Sequence, residues 1–202
     1  TKGISRNIRF IYPGVKNSDE ISEGVYLEMG SHGGPFPASR HSIRSIMANH
    51  AIAHLGGSES DWQEFASVAT VALAPVRTLL EKLALLTTAA ADVEAGDSVS
   101  LARHGRHLYD IFRILRHPET LHALNDMGQT EVAALAEDIR VRSVTNGWRS
   151  VGRPEAGFAS SAVFRGGEAS AELEAAFVAS LPLIYGEQPT FRECVAEIVK
   201  NE

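Results

Sequence analysis

A single cysteine, Cys194, stands in the 202 residues, so no disulfide can form within the chain and a disulfide-stapled fold is excluded. No apolar run approaches the ~20 residues a helix needs to cross a bilayer, and the first residues lack the apolar stretch of a secretory signal. A cytoplasmic protein with no membrane contact is the expectation. An excess of positive charge is missing too. Nineteen Lys and Arg face 25 Asp and Glu, a formal net charge of −6, which argues against a uniformly basic coat and leaves a polyanion only a local basic face. No Gly-x-Ser-x-Gly elbow occurs. Cys194 lies in a stretch of helical apolar period with Arg192 as its one nearby cation, which points to a structural thiol rather than a nucleophile. Internal repeats, heptads and low-complexity segments are absent as well.

Hydrophobic residues make up 44% of the chain, ample for a buried core. Ile8, Phe10 and Tyr12 alternate with Arg9 and Ile11, the period of a strand, and Pro13-Gly14 ends it. A polar loop over residues 16–23 leads to a second strand, Val25–Met29, which turns Glu28 away from Val25, Leu27 and Met29. Residues 30–37, G-S-H-G-G-P-F-P, are too rich in breakers for a regular element, and they lack the lysine and spacing of a phosphate-cradling P-loop. A short helix is expected over residues 42–55, closed by Gly56-Gly57, and a third strand over 65–73. Pro75 then starts a helix where a missing N–H costs nothing, with Val76, Leu79, Leu80, Leu83 and Leu86 as its stripe.

Asp97 or Ser98 is placed to cap the next helix, whose apolar residues are Leu101, Leu108, Ile111, Phe112 and Leu115. Arg103, Arg106, His107, Asp110 and Arg113 fall on its other side. Further helices are expected over 131–141, over 171–185 with a disturbance at Pro182, and over 191–200, with an irregular stretch from 147 to 167. Thr190 and Glu193 have the spacing of a capping box. The pattern is α+β: a small mixed sheet backed by helices in residues 1–95, then a helical domain in residues 96–202. Three short strands make a poor sheet alone, and the opening on Thr1 rather than Met suggests that further strands precede it.

The chemistry-bearing candidates sit on two successive helices. Lys82 follows Leu79 and precedes Leu83 and Leu86, so its stem packs near the core while its ammonium reaches past the helix edge. Glu81 pairs at i,i+4 with Arg77, an interaction that speaks to helix stability. Asp110 has Arg106 and Arg113 about one turn to either side, and two guanidinium groups there would hold its carboxylate ionised. The same spacing describes a surface ion-pair ladder or a positioned acid with arginines that meet phosphate, and it does not separate them. His50 and His54 stand at i,i+4, but H-A-I-A-H lacks the glutamate of the H-E-x-x-H metalloprotease motif. His104 and His107 stand at i,i+3 with no His-Asp dipeptide, so surface or capping histidines are expected rather than a metal site.

Taken together, V-Y-L-E-M-G with its Gly-rich loop, A-P-V-R-T-L-L-E-K-L-A-L-L, R-H-L-Y-D-I-F-R-I-L and the helical tail resemble the AbiEii/AbiGii nucleotidyltransferase-like toxins, in order over about residues 3–200. Glu81-Lys82 and Arg106 to Asp110 carry most of the likeness. The resemblance implies a fold similar to polymerase β-type nucleotidyltransferases and a toxin of a bacterial toxin–antitoxin or phage-defence system, neutralised by a cognate antitoxin. The expected activity is transfer of a nucleotide from NTP–Mg²⁺ to an RNA acceptor, tRNA included, or to a protein. It further implies Glu28 as a magnesium ligand, Lys82 as the phosphate-contacting catalytic lysine with Arg106 beside it, and Asp110 as the catalytic motif aspartate. Such chemistry needs carboxylates to hold the metal and a lysine to neutralise growing charge. The family's Gly-Ser turn and Asp-x-Asp pair should precede these strands, and residues 1–24 supply neither. The expectation is therefore a C-terminal portion, inactive alone, with a degenerate member as the other reading. The alternative function is a non-catalytic module that binds an antitoxin or nucleic acid.

Overall fold

The computed structural model describes residues 6–11, 24–29, 34–96 and 99–201. Strands β1 (Arg6–Phe10) and β2 (Val25–Met29) pair antiparallel, with Ile8 opposite Leu27 and Phe10 opposite Val25. Every residue of this pair is exposed. Tyr12, the loop over 16–23 and the two cap candidates, Asp97 and Ser98, lie outside the described residues.

The region from 38 to 55 differs from the sequence reading. Residues Ala38–Ile43 form strand β3, and the helix, α1 (Ile46–His54), starts later behind Ser45, whose Oγ accepts from the Ala48 N–H at 3.1 Å. Strand β4 (Val68–Leu73) pairs antiparallel with β3 along its whole length, Ala38 opposite Leu73 and Ile43 opposite Val68. Cross-strand pairing with a β-branched partner strand overrides the weak helical period of 42–45. Residues Gln63–Phe65 form a single 3₁₀ turn, so β4 begins after Phe65. The class is α+β, but the described strands form two separate two-stranded antiparallel sheets instead of one mixed sheet.

The core is helical. Helix α2 (Pro75–Glu94) has Pro75 in its first turn and buries the expected Val76, Leu79, Leu80, Leu83 and Leu86. After α3 (Val99–Ala102), α4 (Gly105–Leu115) buries Leu108, Ile111, Phe112 and Leu115 on one stripe. Helix α5 (Pro118–Thr145) is longer than the 131–141 pattern shows and is interrupted at Gly128, whose φ of 66° and ψ of 171° leave the helical region. The irregular stretch that follows still feeds the core through Phe158 and through Val163 and Phe164 of α6 (Ala162–Arg165). Helix α7 (Glu168–Ser180) gives way at Pro182 to a 3₁₀ turn. Helix α8 (Phe191–Lys200) carries both halves of the capping box between Thr190 and Glu193. Helices α7 and α8 pack against α4, and α2 packs against α4 and α5. Cys194 is fully buried among them, and burial, with the nearby Glu193 charge, pushes its thiol up to about 12.

Candidate active site

Helices α2 and α4 lie against each other through their leucine stripes, and that packing sets the polar edges of the two helices side by side. Lys82 follows the buried Leu79 and Leu80 by less than one turn, so its methylenes leave the core before its ammonium emerges. His107 and Asp110, one turn apart on α4, meet it there. Lys82 Nζ donates to Asp110 Oδ2 at 2.8 Å and lies 3.0 Å from His107 Nδ1. The Lys82 and His107 side chains are 20% and 17% exposed and that of Asp110 is 43% exposed, so the cluster opens to solvent on the aspartate side. Burial pushes the Asp110 carboxyl up, but its polar partners in this cluster, the Lys82 ammonium at 2.8 Å foremost by distance, outweigh it and hold the group below the ordinary aspartate range. His104 stacks on His107 with centroids 5.5 Å apart. Burial, with the neighbouring positive charges of Arg106 and Arg103, lowers the His104 pKa.

The expected arginine clamp on Asp110 does not form. Arg106 and Arg113 are exposed on α4 and make no hydrogen bond or ion pair among the described residues; the ammonium of Lys82 takes their place because α2 delivers it at shorter range. Glu28 stands on the exposed β2, opposite Asn7, and no described hydrogen bond or ion pair joins it to Lys82 or Asp110. His50 and His54 are exposed on α1 with rings 4.9 Å apart. Among the described residues no group of three His, Cys, Asp or Glu side chains could hold a metal ion.

The family profile described as "Nucleotidyl transferase AbiEii toxin, Type IV TA system" matches residues 3–197. The chain belongs to the AbiEii family. No curated protein and no solved structure matches it significantly. AbiEii membership makes it a nucleotidyltransferase-like toxin of a type IV toxin–antitoxin system, and implies an antitoxin partner and a nucleotide substrate. No helix among the described residues is long and apolar enough to cross a membrane.

Two residues of this AbiEii chain had a larger part in the structure than their sequence context gave them. His107 is one turn from Asp110, a visible spacing, but only the docking of α4 on α2 puts its Nδ1 at Lys82. Arg77 is the other. Expected from the sequence as the i,i+4 partner of Glu81 alone, it is 1% exposed and bonds Glu81 at 2.9 Å, Asp138 of α5 at 3.0 Å and the Phe36 carbonyl. It thereby ties the Lys82 helix to α5 and to the approach of β3. A signal for this was present: Arg77 shares a helix face with Leu80, Ala84 and Thr88, all buried. Arg142 braces the same carboxylate, its Nε 2.9 Å from Asp138 Oδ1. Burial raises the Asp138 pKa, but hydrogen bonds from Arg77 and Arg142 and their charges reverse the sign and leave it lowered.

Proposed function

We propose that the protein transfers a nucleotide from a nucleoside triphosphate to an RNA acceptor, tRNA being one such acceptor, with a protein hydroxyl as the competing acceptor. The observation that supports this reading is the Lys82–Asp110 contact at 2.8 Å on the solvent-open edge between α2 and α4, in a chain of a nucleotidyltransferase family. An ammonium has three protons and no acceptor capacity. One is spent on Asp110, and the group is thereby aimed rather than left to swing on its four-carbon stem. In the reaction Lys82 meets phosphate oxygens and offsets the negative charge that grows on them as the bond to the leaving pyrophosphate lengthens. Asp110 acts through Lys82, fixing its position. Arg106, exposed and without an ion pair among the described residues, stands one turn before Asp110 and supplies a second cation for the phosphates.

Nucleotidyltransferases commonly use Mg²⁺, but the described residues do not fit it as a set. Glu28 offers one carboxylate on an exposed strand, which is too little for a hard cation that wants several oxygens, and Oδ2 of Asp110 already accepts from an ammonium. The roles above are therefore those of the chain's own cations and carboxylate.

The test is incubation of the full-length protein, expressed from its complete gene, with each labelled NTP and total RNA. Label in RNA is expected for the wild type and is lost in Lys82→Ala and Asp110→Ala, whose thermal unfolding stays close to wild type because the pair is partly solvated. Label in protein moves the acceptor to a hydroxyl of a polypeptide. Loss of folding in both variants makes the pair structural, and no label anywhere leaves a binding module.

A further inference from the structure

We infer that His107, through Nδ1, is a positioning residue for the Lys82 ammonium, acting as its second acceptor beside Asp110. The inference rests on the transferase reading for what the positioned ammonium is used for, but not for the positioning itself.

Three groups meet at one point, and their donor capacities leave one consistent arrangement. Lys82 only donates, and Asp110, held ionised, only accepts. His107 Nδ1 is 3.0 Å from Lys82 Nζ and 3.5 Å from Asp110 Oδ2. Were the proton on Nδ1, it would face an ammonium at hydrogen-bonding distance, and its bond to the carboxylate would be at the outer limit of such contacts. With the proton on Nε2, Nδ1 presents a lone pair to Lys82 and both short contacts are satisfied, while the 3.5 Å approach to Asp110 Oδ2 is then two acceptors bridged by the ammonium and not a hydrogen bond. The ammonium then donates to Oδ2 and Nδ1 and keeps its third proton for a ligand. One acceptor sets the ammonium rotor but lets the nitrogen and its stem pivot about that bond, whereas two acceptors fix the nitrogen as well and so define the direction of the third N–H.

The surroundings favour this orientation of the ring. His104 stacks on the same imidazole at a 26° interplanar angle and restricts its rotation. The other charged residues near this side of α4, Arg103, Arg106 and Arg113, are exposed, and among the described residues no hydrogen bond or ion pair joins their side chains to His107. A ring wedged between His104 and Lys82 is thus a rigid acceptor on a helix, the kind of support that keeps a functional cation within a few tenths of an ångström of its working place.

Asparagine places its amide oxygen where Nδ1 stands and keeps the acceptor, whereas Ala and Phe remove it. The first readout is the ¹H–¹⁵Nζ correlation of lysine ammonium groups in the full-length protein, which persists only where the ammonium is held out of fast exchange; Lys82→Arg assigns the signal. The Lys82 signal is expected in the wild type and in His107→Asn and is lost in His107→Ala and His107→Phe at unchanged melting temperature. The second readout is nucleotide transfer, where Ala and Phe should lower kcat by about 10- to 100-fold, the worth of a hydrogen bond to a charged group, with Asn restoring most of it and KM moving less. A Lys82 signal that survives in His107→Ala, or is lost equally in Asn and Ala, overturns the inference. If the wild type transfers nothing, the transferase reading fails while the ammonium signal still decides the positioning.

Discussion

Gly105 begins α4 where that helix crosses α7, and replacing it by alanine sets two effects of opposite sign against each other. Helix propensity alone favours the substitution, by up to about 1 kcal/mol. The crossing opposes it. A Cβ at residue 105 would lie 2.2 Å from the carbonyl carbon and oxygen of Ala176 and 2.5 Å from the Phe177 nitrogen, where ordinary contact starts at 3.4 Å. These are backbone atoms of a helix, with no side-chain rotamer to move aside, so α4 and α7 must part by on the order of 1 Å. Leu108, Leu173 and Phe177, all at 0% exposure, then lose close contact. Overpacking of this kind costs about 1–3 kcal/mol, and a rigid obstacle puts it at the upper end. The net expectation is a destabilisation of about 2 kcal/mol, a fall in Tm of roughly 4–8 °C for a chain of this size. Thermal and urea unfolding of Gly105→Ala measure it, with Gly57→Ala as the control, since a Cβ there comes no nearer than 3.3 Å to its neighbours. A Gly105→Ala protein as stable as wild type would show that the two backbones do not touch, and that the α4 position that brings Asp110 to Lys82 is wrong.

The buried Arg77 supplies a second expectation. Arg77→Met removes its bonds to Glu81, Asp138 and the Phe36 carbonyl; because both carboxylates reach solvent, the loss should be about 2 kcal/mol rather than the larger penalty of a stranded buried charge, while Glu81→Gln should cost less than about 1 kcal/mol. Urea denaturation separates the two. Acid should act on the same network. Asp110 and Asp138 have folded pKa values below the ordinary aspartate value of 3.8, so the stability they contribute is fully present above that value and is lost as the pH falls through their lower folded values. Melting temperature followed from pH 7 downward should therefore drop more in wild type than in Asp138→Asn, the two curves converging in acid.

How much of this was legible beforehand depends on whether a residue's fate is decided by its own helix or by a neighbouring one. The stripes of α2 and α4, the Pro75 start and the Thr190–Glu193 box follow from spacing within a few residues, and all appear where spacing puts them. Strand β3 did not, because residues 38–43 become a strand by pairing with residues 68–73, far along the chain. The kink at Gly128 likewise hid the length of α5, since its apolar period is broken there.

At the candidate site the sequence alone determined which helices carry Lys82, His107 and Asp110 and on which side of each leucine stripe they fall, because periodicity follows from covalent geometry. It could not choose among partners. Arg106 and Arg113 were as close to Asp110 along α4 as any cation, and the tertiary structure left them exposed and gave the carboxylate to Lys82. The choice was made by the packing of α2 on α4, in which buried leucines fix the distance between helices and the polar side chains at the seam pair with whatever that distance brings within reach.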